Sequence, residues 1–140
     1  MKTKQDTNGE TVIDWQSYVD DDLMGSSRVN EAAIYDFNGS KLASTPDFTI
    51  SDSEFKEIAN GFNGTAPFTE KKDVTIVETP YSTVSSDDKE LFSGESISGG
   101  VLIYKTGAVY LIVTYDDSIE PEACKSAVES LTEYFKDEGW

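Results

Sequence analysis

Apolar positions first recur at helical spacing at Trp15, Tyr18, Val19 and Leu23. Asp14 stands just before them, where a carboxylate accepts from the unpaired amides of a first helical turn. The pattern predicts a helix that closes near Gly25, a residue suited to a left-handed cap. Val29 to Phe37 and Ser40 to Ser44 then flank Asn38-Gly39, a dipeptide that tolerates the backbone of a tight hairpin turn, so two paired strands are expected. Ser51 and Glu54 have capping-box spacing, and Phe55, Ile58, Ala59 and Phe62 follow on one helical face until Gly61 or Gly64.

Beyond Pro67 the period shortens to that of strands. Val74 to Thr79, Tyr81 to Val84 and Leu91 to Ile97 are bounded by Gly, Pro or Asp. Val101 to Tyr104 and Val109 to Tyr115 flank Lys105-Thr106-Gly107-Ala108, and their β-branched and aromatic content suits central strands. Glu120-Pro121 opens a last helix, with Glu122 complementing its positive end. In it Cys124, Ala127 or Val128, Leu131 and Phe135 form the sheet-facing stripe, with Tyr134 beside it. Residues 1–13 are polar and aperiodic, which predicts a flexible extension with Val12 and Ile13 as its candidates for packing. Residues 14–140 read as one α+β domain without internal repeats.

Charge narrows the possible partners. Asp and Glu number 27 against 11 Lys and Arg, a formal net charge of −16, and Arg28 is the only arginine. Neither attraction to phosphates nor guanidinium clamps are available in number, so nucleic acid is not an expected partner. The 37% of hydrophobic residues is enough to build a core, which makes the acidity a property of the surface. The lone Cys124 permits no intrachain disulfide. With no signal-type stretch near Met1 and the longest apolar run only Ala108 to Val113, a cytoplasmic protein is expected. Asn38-Gly39-Ser40 and Asn63-Gly64-Thr65 therefore read as turns rather than glycan sites.

Catalysis finds little support. Histidine is absent, which removes the usual neutral-pH base and the commonest metal ligand. Cys124 lies on an apolar helix face and reads as a buried, inert thiol. Asp20-Asp21-Asp22, Asp87-Asp88 and Asp116-Asp117 lack calcium-loop spacing and read as solvated charge, so no metal or other cofactor is implied. Ser98-Gly99-Gly100 lacks the Gly-Lys-Ser/Thr ending of a phosphate loop. The aromatic residues at the two ends leave two readings open. Trp15 and Tyr18 either cover the sheet or form, with Tyr134 and Trp140, ridges suited to a polyproline II ligand.

Trp15-Gln16-Ser17-Tyr18-Val19-Asp20 with Leu23-Met24, Ala32 to Ser40, and Ser98-Gly99-Gly100-Val101-Leu102-Ile103-Tyr104-Lys105-Thr106-Gly107 resemble motifs of the profilins. The resemblance spans about Asp14 to Trp140. It implies a central antiparallel sheet of about six to seven strands, with the N- and C-terminal helices on one face and shorter helices on the other. It also implies a monomer without catalytic activity that regulates actin polymerisation, binding monomeric actin and Pro-rich proteins such as formins.

For the Pro-rich site the resemblance points to Trp15, Tyr18, Tyr134, Phe135 and Trp140, with Leu42 where the family usually has another Trp. For actin it points to Phe68, Lys72, Thr75, Ile76 and Val77, with Lys125 and Glu129 on the last helix. The family's phosphoinositide site uses cations where this chain has Ser93-Gly94-Glu95-Ser96, so weak or absent lipid binding is expected. A sheet flanked by helices also describes small-molecule sensor modules. Phe37, Phe55, Ile76 and Tyr104 would then line an interior.

Overall fold

The computed structural model describes residues 2–64, 68, 73–86 and 90–140. Side chains alternate between the two faces of a strand, and here both faces are apolar. Along Val109–Asp116, Val109, Leu111 and Val113 enter one buried cluster, while Tyr110 and Ile112 enter another. A sheet covered on both sides explains why this stretch reads as a continuous apolar run rather than as alternation.

Nine strands are described: β1 (Thr3–Gln5), β2 (Thr11–Ile13), β3 (Glu31–Asp36), β4 (Lys41–Ser44), β5 (Asp73–Ile76), β6 (Thr79–Ser86), β7 (Leu91–Ser96), β8 (Gly99–Lys105) and β9 (Val109–Asp116). The main sheet has seven strands, all antiparallel, in the order β4-β3-β9-β8-β7-β6-β5. On one face lie the N-terminal helix, which begins as α1 (Trp15–Ser17), and α3 (Pro121–Asp137). On the other lies α2 (Asp52–Asn63), the one described helix there, with Phe68.

Local chemistry sets most boundaries. The Ser51–Glu54 capping box forms as expected, and Gly64 closes α2 in the left-handed conformation. Gly61 does not break the helix. It is buried, and a Cβ there would lie 2.2 Å from the Phe68 ring, so this position needs a glycine for close packing. In α3 the sheet-facing stripe takes Val128 and leaves Ala127 half-buried.

Four local expectations are corrected. The N-terminal helix passes from α1 into a π-helical segment, Tyr18–Leu23, and a 3-10 turn, Met24–Ser26, and is closed by left-handed Ser27 rather than by Gly25. In a π-helix residues five apart lie close to one line, which keeps Tyr18 and Leu23 buried together and turns Asp20, Asp21 and Asp22 outward. The first hairpin turn is wider than two residues. Asp36 organises it, its carboxylate accepting from Asn38 N and Ser40 N, and of Asn38 and Gly39 only Gly39 has positive φ. Residues 3–13, expected as an aperiodic extension, form the β1–β2 hairpin instead.

Val74 to Thr79 is not one strand. Val77 and Glu78 form a two-residue turn between β5 and β6 with φ of 47° and 65°. No glycine or asparagine announces it. The turn is held from outside: the Glu54 carboxylate accepts from Val77 N at 3.1 Å and Glu78 N at 2.8 Å while completing the α2 capping box.

Candidate functional site

Two helices whose ends are far apart in sequence bring the aromatic residues into one cluster. The Asp14 side chain caps α1 through Ser17 N and Ser17 Oγ, and these bonds hold its carboxyl below the usual range. Gln16 joins the helix to the sheet edge: its Nε2 donates to Ser44 O at 2.8 Å and its Oε1 accepts from Ser44 N at 3.2 Å. That paired bond sets β4, and with it Leu42, beside the helix. The role of Gln16 carries no periodic signal in the sequence.

At the opposite end, α3 closes with a left-handed glycine. Gly139 has φ of 87°, its N–H donates to Lys136 O, and Trp140 N donates to Phe135 O at 2.8 Å. The chain thus turns back and lays the Trp140 ring 5.5 Å from that of Phe135. Gly107 N–H, from the β8–β9 turn, donates to Trp140 O at 3.1 Å.

The rings then meet. Trp15 and Trp140 lie 5.2 Å apart, Tyr18 and Tyr134 5.7 Å, and Tyr134 and Trp140 6.4 Å, mostly tilted or edge-on as aromatic quadrupoles favour. Phe135 and Tyr18 form the floor, 0% and 2% exposed, with Phe135 edge-on to Trp15 at 5.5 Å and to Tyr18 at 5.1 Å. Phe135 thus lies beneath the surface and supports the rings above it. Trp15, Tyr134, Trp140 and Leu42 are half-buried and border the same cluster. Tyr18 and Tyr134 join through their hydroxyls at 3.3 Å. That bond, followed by burial, pushes the Tyr134 phenol up to about 12.

The residues expected to meet actin do not form one patch. Phe68 is fully buried beneath α2, and Ile76 is buried on that same face, so neither is a surface residue. Val77 lies in the turn after β5 and packs partly on that core. Lys72 lies outside the described residues, as do Asp87 and Asp88. Thr75 alternates with buried Val74 and Ile76 and so faces the side that carries α3. Lys125 and Glu129 are partly exposed on α3 and line a shallow depression of about 250 Å³ with Glu122, Ser126 and Glu133.

The sensor interior does not form. Tyr104 and Ile76 belong to clusters on opposite faces of the sheet, and Phe37 is 42% exposed, lying over Tyr110 with Lys105 Nζ 5.5 Å from its ring. Four side chains split in this way cannot enclose one ligand. Cys124 is buried, and burial pushes its thiol up to about 11. Among the described residues no group of three or more His, Cys, Asp or Glu is placed to hold a metal ion. No described helix is long and apolar enough to cross a membrane.

The sequence model of the family described as Profilin matches residues 13–140. Profilin-A of Physarum polycephalum is 34% identical over 128 residues, covering 91% of this chain and all of that protein. A profilin of Bombyx mori is 35% identical over 122 residues, covering 87% and 95%. Among solved structures, Acanthamoeba castellanii profilin IA is similar with a TM-score of 0.83 and 29% identity, covering 90% of this chain and 99% of that one. The motifs, the doubly covered seven-stranded sheet and these matches together establish that the chain belongs to the profilin family.

Proposed function

We propose that this profilin binds monomeric actin and, through its aromatic groove, Pro-rich segments of actin-assembly factors such as formins. The observation that carries the Pro-rich reading is the gathering of Trp15, Tyr134 and Trp140 over a buried floor of Tyr18 and Phe135 between the two terminal helices. Pro-rich ligands suit it. A polyproline II helix is already ordered and presents pyrrolidine faces to aromatic walls, which keeps the entropic cost of docking low.

Actin binding rests on family membership, with the outer side of α3 around Lys125 and Glu129 and the α3-side face of β5 to β7 as the surface. As a profilin the protein is not an enzyme. Its action would be steric and thermodynamic: one face holds an actin monomer while the groove grips a Pro-rich tether, raising actin concentration at a filament end. The protein would work as a monomer in the cytoplasm. Phosphoinositide binding should be weak, since exposed Glu95 stands on β7 in a chain of net charge −16.

Two titrations test this. Trp fluorescence should change saturably with an uncharged polyproline peptide, because both tryptophans sit in the groove. Adding the protein to monomeric actin should lengthen the lag of spontaneous polymerisation. Absence of either response would remove the corresponding half of the proposal.

A further inference from the structure

The aromatic groove is not fully open, because the chain's own N-terminal segment closes one end of it. The β1–β2 pairing sets Thr3 opposite Ile13, and Asp14 N donates to Lys2 O at 2.9 Å, which brings Lys2 back over the start of the helix that carries Trp15 and Tyr18. There the Lys2 backbone N–H donates to the Tyr18 hydroxyl at 2.9 Å, and Lys2 Nζ lies 5.2 Å from the Tyr18 ring centre. The ammonium is held by Asp22 at 3.1 Å, Asp21 at 3.4 Å and Ser17 O at 3.4 Å. Lys2, Tyr18, Asp22, Leu131 and Tyr134 border a cavity of about 420 Å³. Residues 2–12 lie outside the part of the chain that matches the family.

We propose that the β1–β2 hairpin is a displaceable strap, with Lys2 occupying the Tyr18 end of the groove and competing there with Pro-rich ligands. The proposal rests on the Pro-rich reading above. Its chemistry follows from what a phenol can do. Tyr18 has one O–H to donate. That proton goes to the Tyr134 hydroxyl at 3.3 Å, and the Tyr18 oxygen accepts from Lys2 N–H at 2.9 Å. A polyproline ligand has no amide N–H and cannot replace the bond that Lys2 N–H makes to the Tyr18 oxygen, so the competition is for the space over the ring. Release of Lys2 frees the space over the Tyr18 ring, while the Tyr18 O–H stays with Tyr134.

The strap is built to release. Its ion pairs are exposed, with Asp21 and Asp22 side chains 68% and 41% accessible, and such pairs are weak and screened by salt. Binding of an uncharged ligand to an aromatic groove has little salt dependence of its own. The strap therefore predicts an unusual sign: affinity for uncharged polyproline should rise with salt.

The test is a fluorescence titration of full-length protein with an uncharged polyproline peptide, from about 50 to about 500 mM NaCl. Wild-type protein should bind roughly three- to tenfold more tightly at the high end. Lys2→Glu, which sets a carboxylate against Asp21 and Asp22, should bind roughly that much more tightly at low salt and lose the dependence. A chain lacking residues 1–10 should match it, its fold checked by circular dichroism. Equal affinity of all three proteins at every salt concentration would overturn the strap and leave the Pro-rich reading standing. Absence of binding by all three would overturn both.

Discussion

The amide of Gly107 donates to the main-chain oxygen of Trp140 at 3.1 Å, tying Trp140 to the turn between the two central strands. The left-handed Gly139, the return bond from Trp140 N to Phe135 O and the Gly107 contact fix the position of Trp140 before any ligand arrives. Such preorganisation lowers the cost of binding.

Gly139→Ala should therefore act on both fold and groove. Nothing lies within 4 Å of a Cβ at that position, so the effect isolates the strain of a side chain at φ of 87°. Stability in a urea titration should fall by about 1 kcal/mol. Polyproline affinity should fall with it as Trp140 loses its fixed orientation.

Leu42→Trp should strengthen the groove. Leu42 is half-buried against the aromatic cluster on the strand that Gln16 clamps to the N-terminal helix. A ring there adds stacking area and an indole donor, worth about 1 kcal/mol, or roughly fivefold in Kd for a polyproline peptide. Calorimetric titration of both proteins would measure it. An unchanged Kd would mean that the ligand does not reach β4.

The Val77–Glu78 turn should be the most improvable part of the backbone. Val77 has φ of 47°, where a β-branched residue is strained, and the Glu54 carboxylate compensates with bonds to both turn amides. Val77→Asn with Glu78→Gly should raise unfolding free energy by about 1–2 kcal/mol. Glu54→Ala, which also removes the capping box, should lower it by about 2 kcal/mol or more. Chemical denaturation of the two proteins gives opposite signs.

Alkaline pH should destabilise the protein through its tyrosines. Burial raises the phenols of Tyr35, Tyr81, Tyr104, Tyr110 and Tyr115, and Tyr134 is raised by its bond to Tyr18. A phenol whose folded pKa lies above its unfolded value favours the fold in its neutral form. That contribution is fully present below about pH 10 and is lost as pH rises through the folded values. Phenolate absorbance should thus appear late in the native protein and together with loss of structure. Titration of most tyrosines near pH 10 with the fold intact would contradict this.

Helix starts and the central strand are legible in local patterns of residues. Asp14, Ser51 with Glu54, and Pro121 place helix starts because caps act within one turn, and Val109 to Val113 is a central strand whichever partners it meets. The rings of the groove are legible as candidates, Trp15 and Tyr18 on one helical stripe and Tyr134 and Trp140 near another helix end, but the spacing alone allows them either to cover the sheet or to form a groove. Tertiary structure decided the rest. Phe68 is core because Gly61 leaves room for its ring, and Val77–Glu78 turns because Glu54, remote in sequence, holds it. Tyr18 meets Tyr134 across 116 positions, and Lys2 reaches Tyr18 only after β1 and β2 pair. These contacts depend on the closure of long loops and leave no period in the chain, so only the assembled fold reveals them.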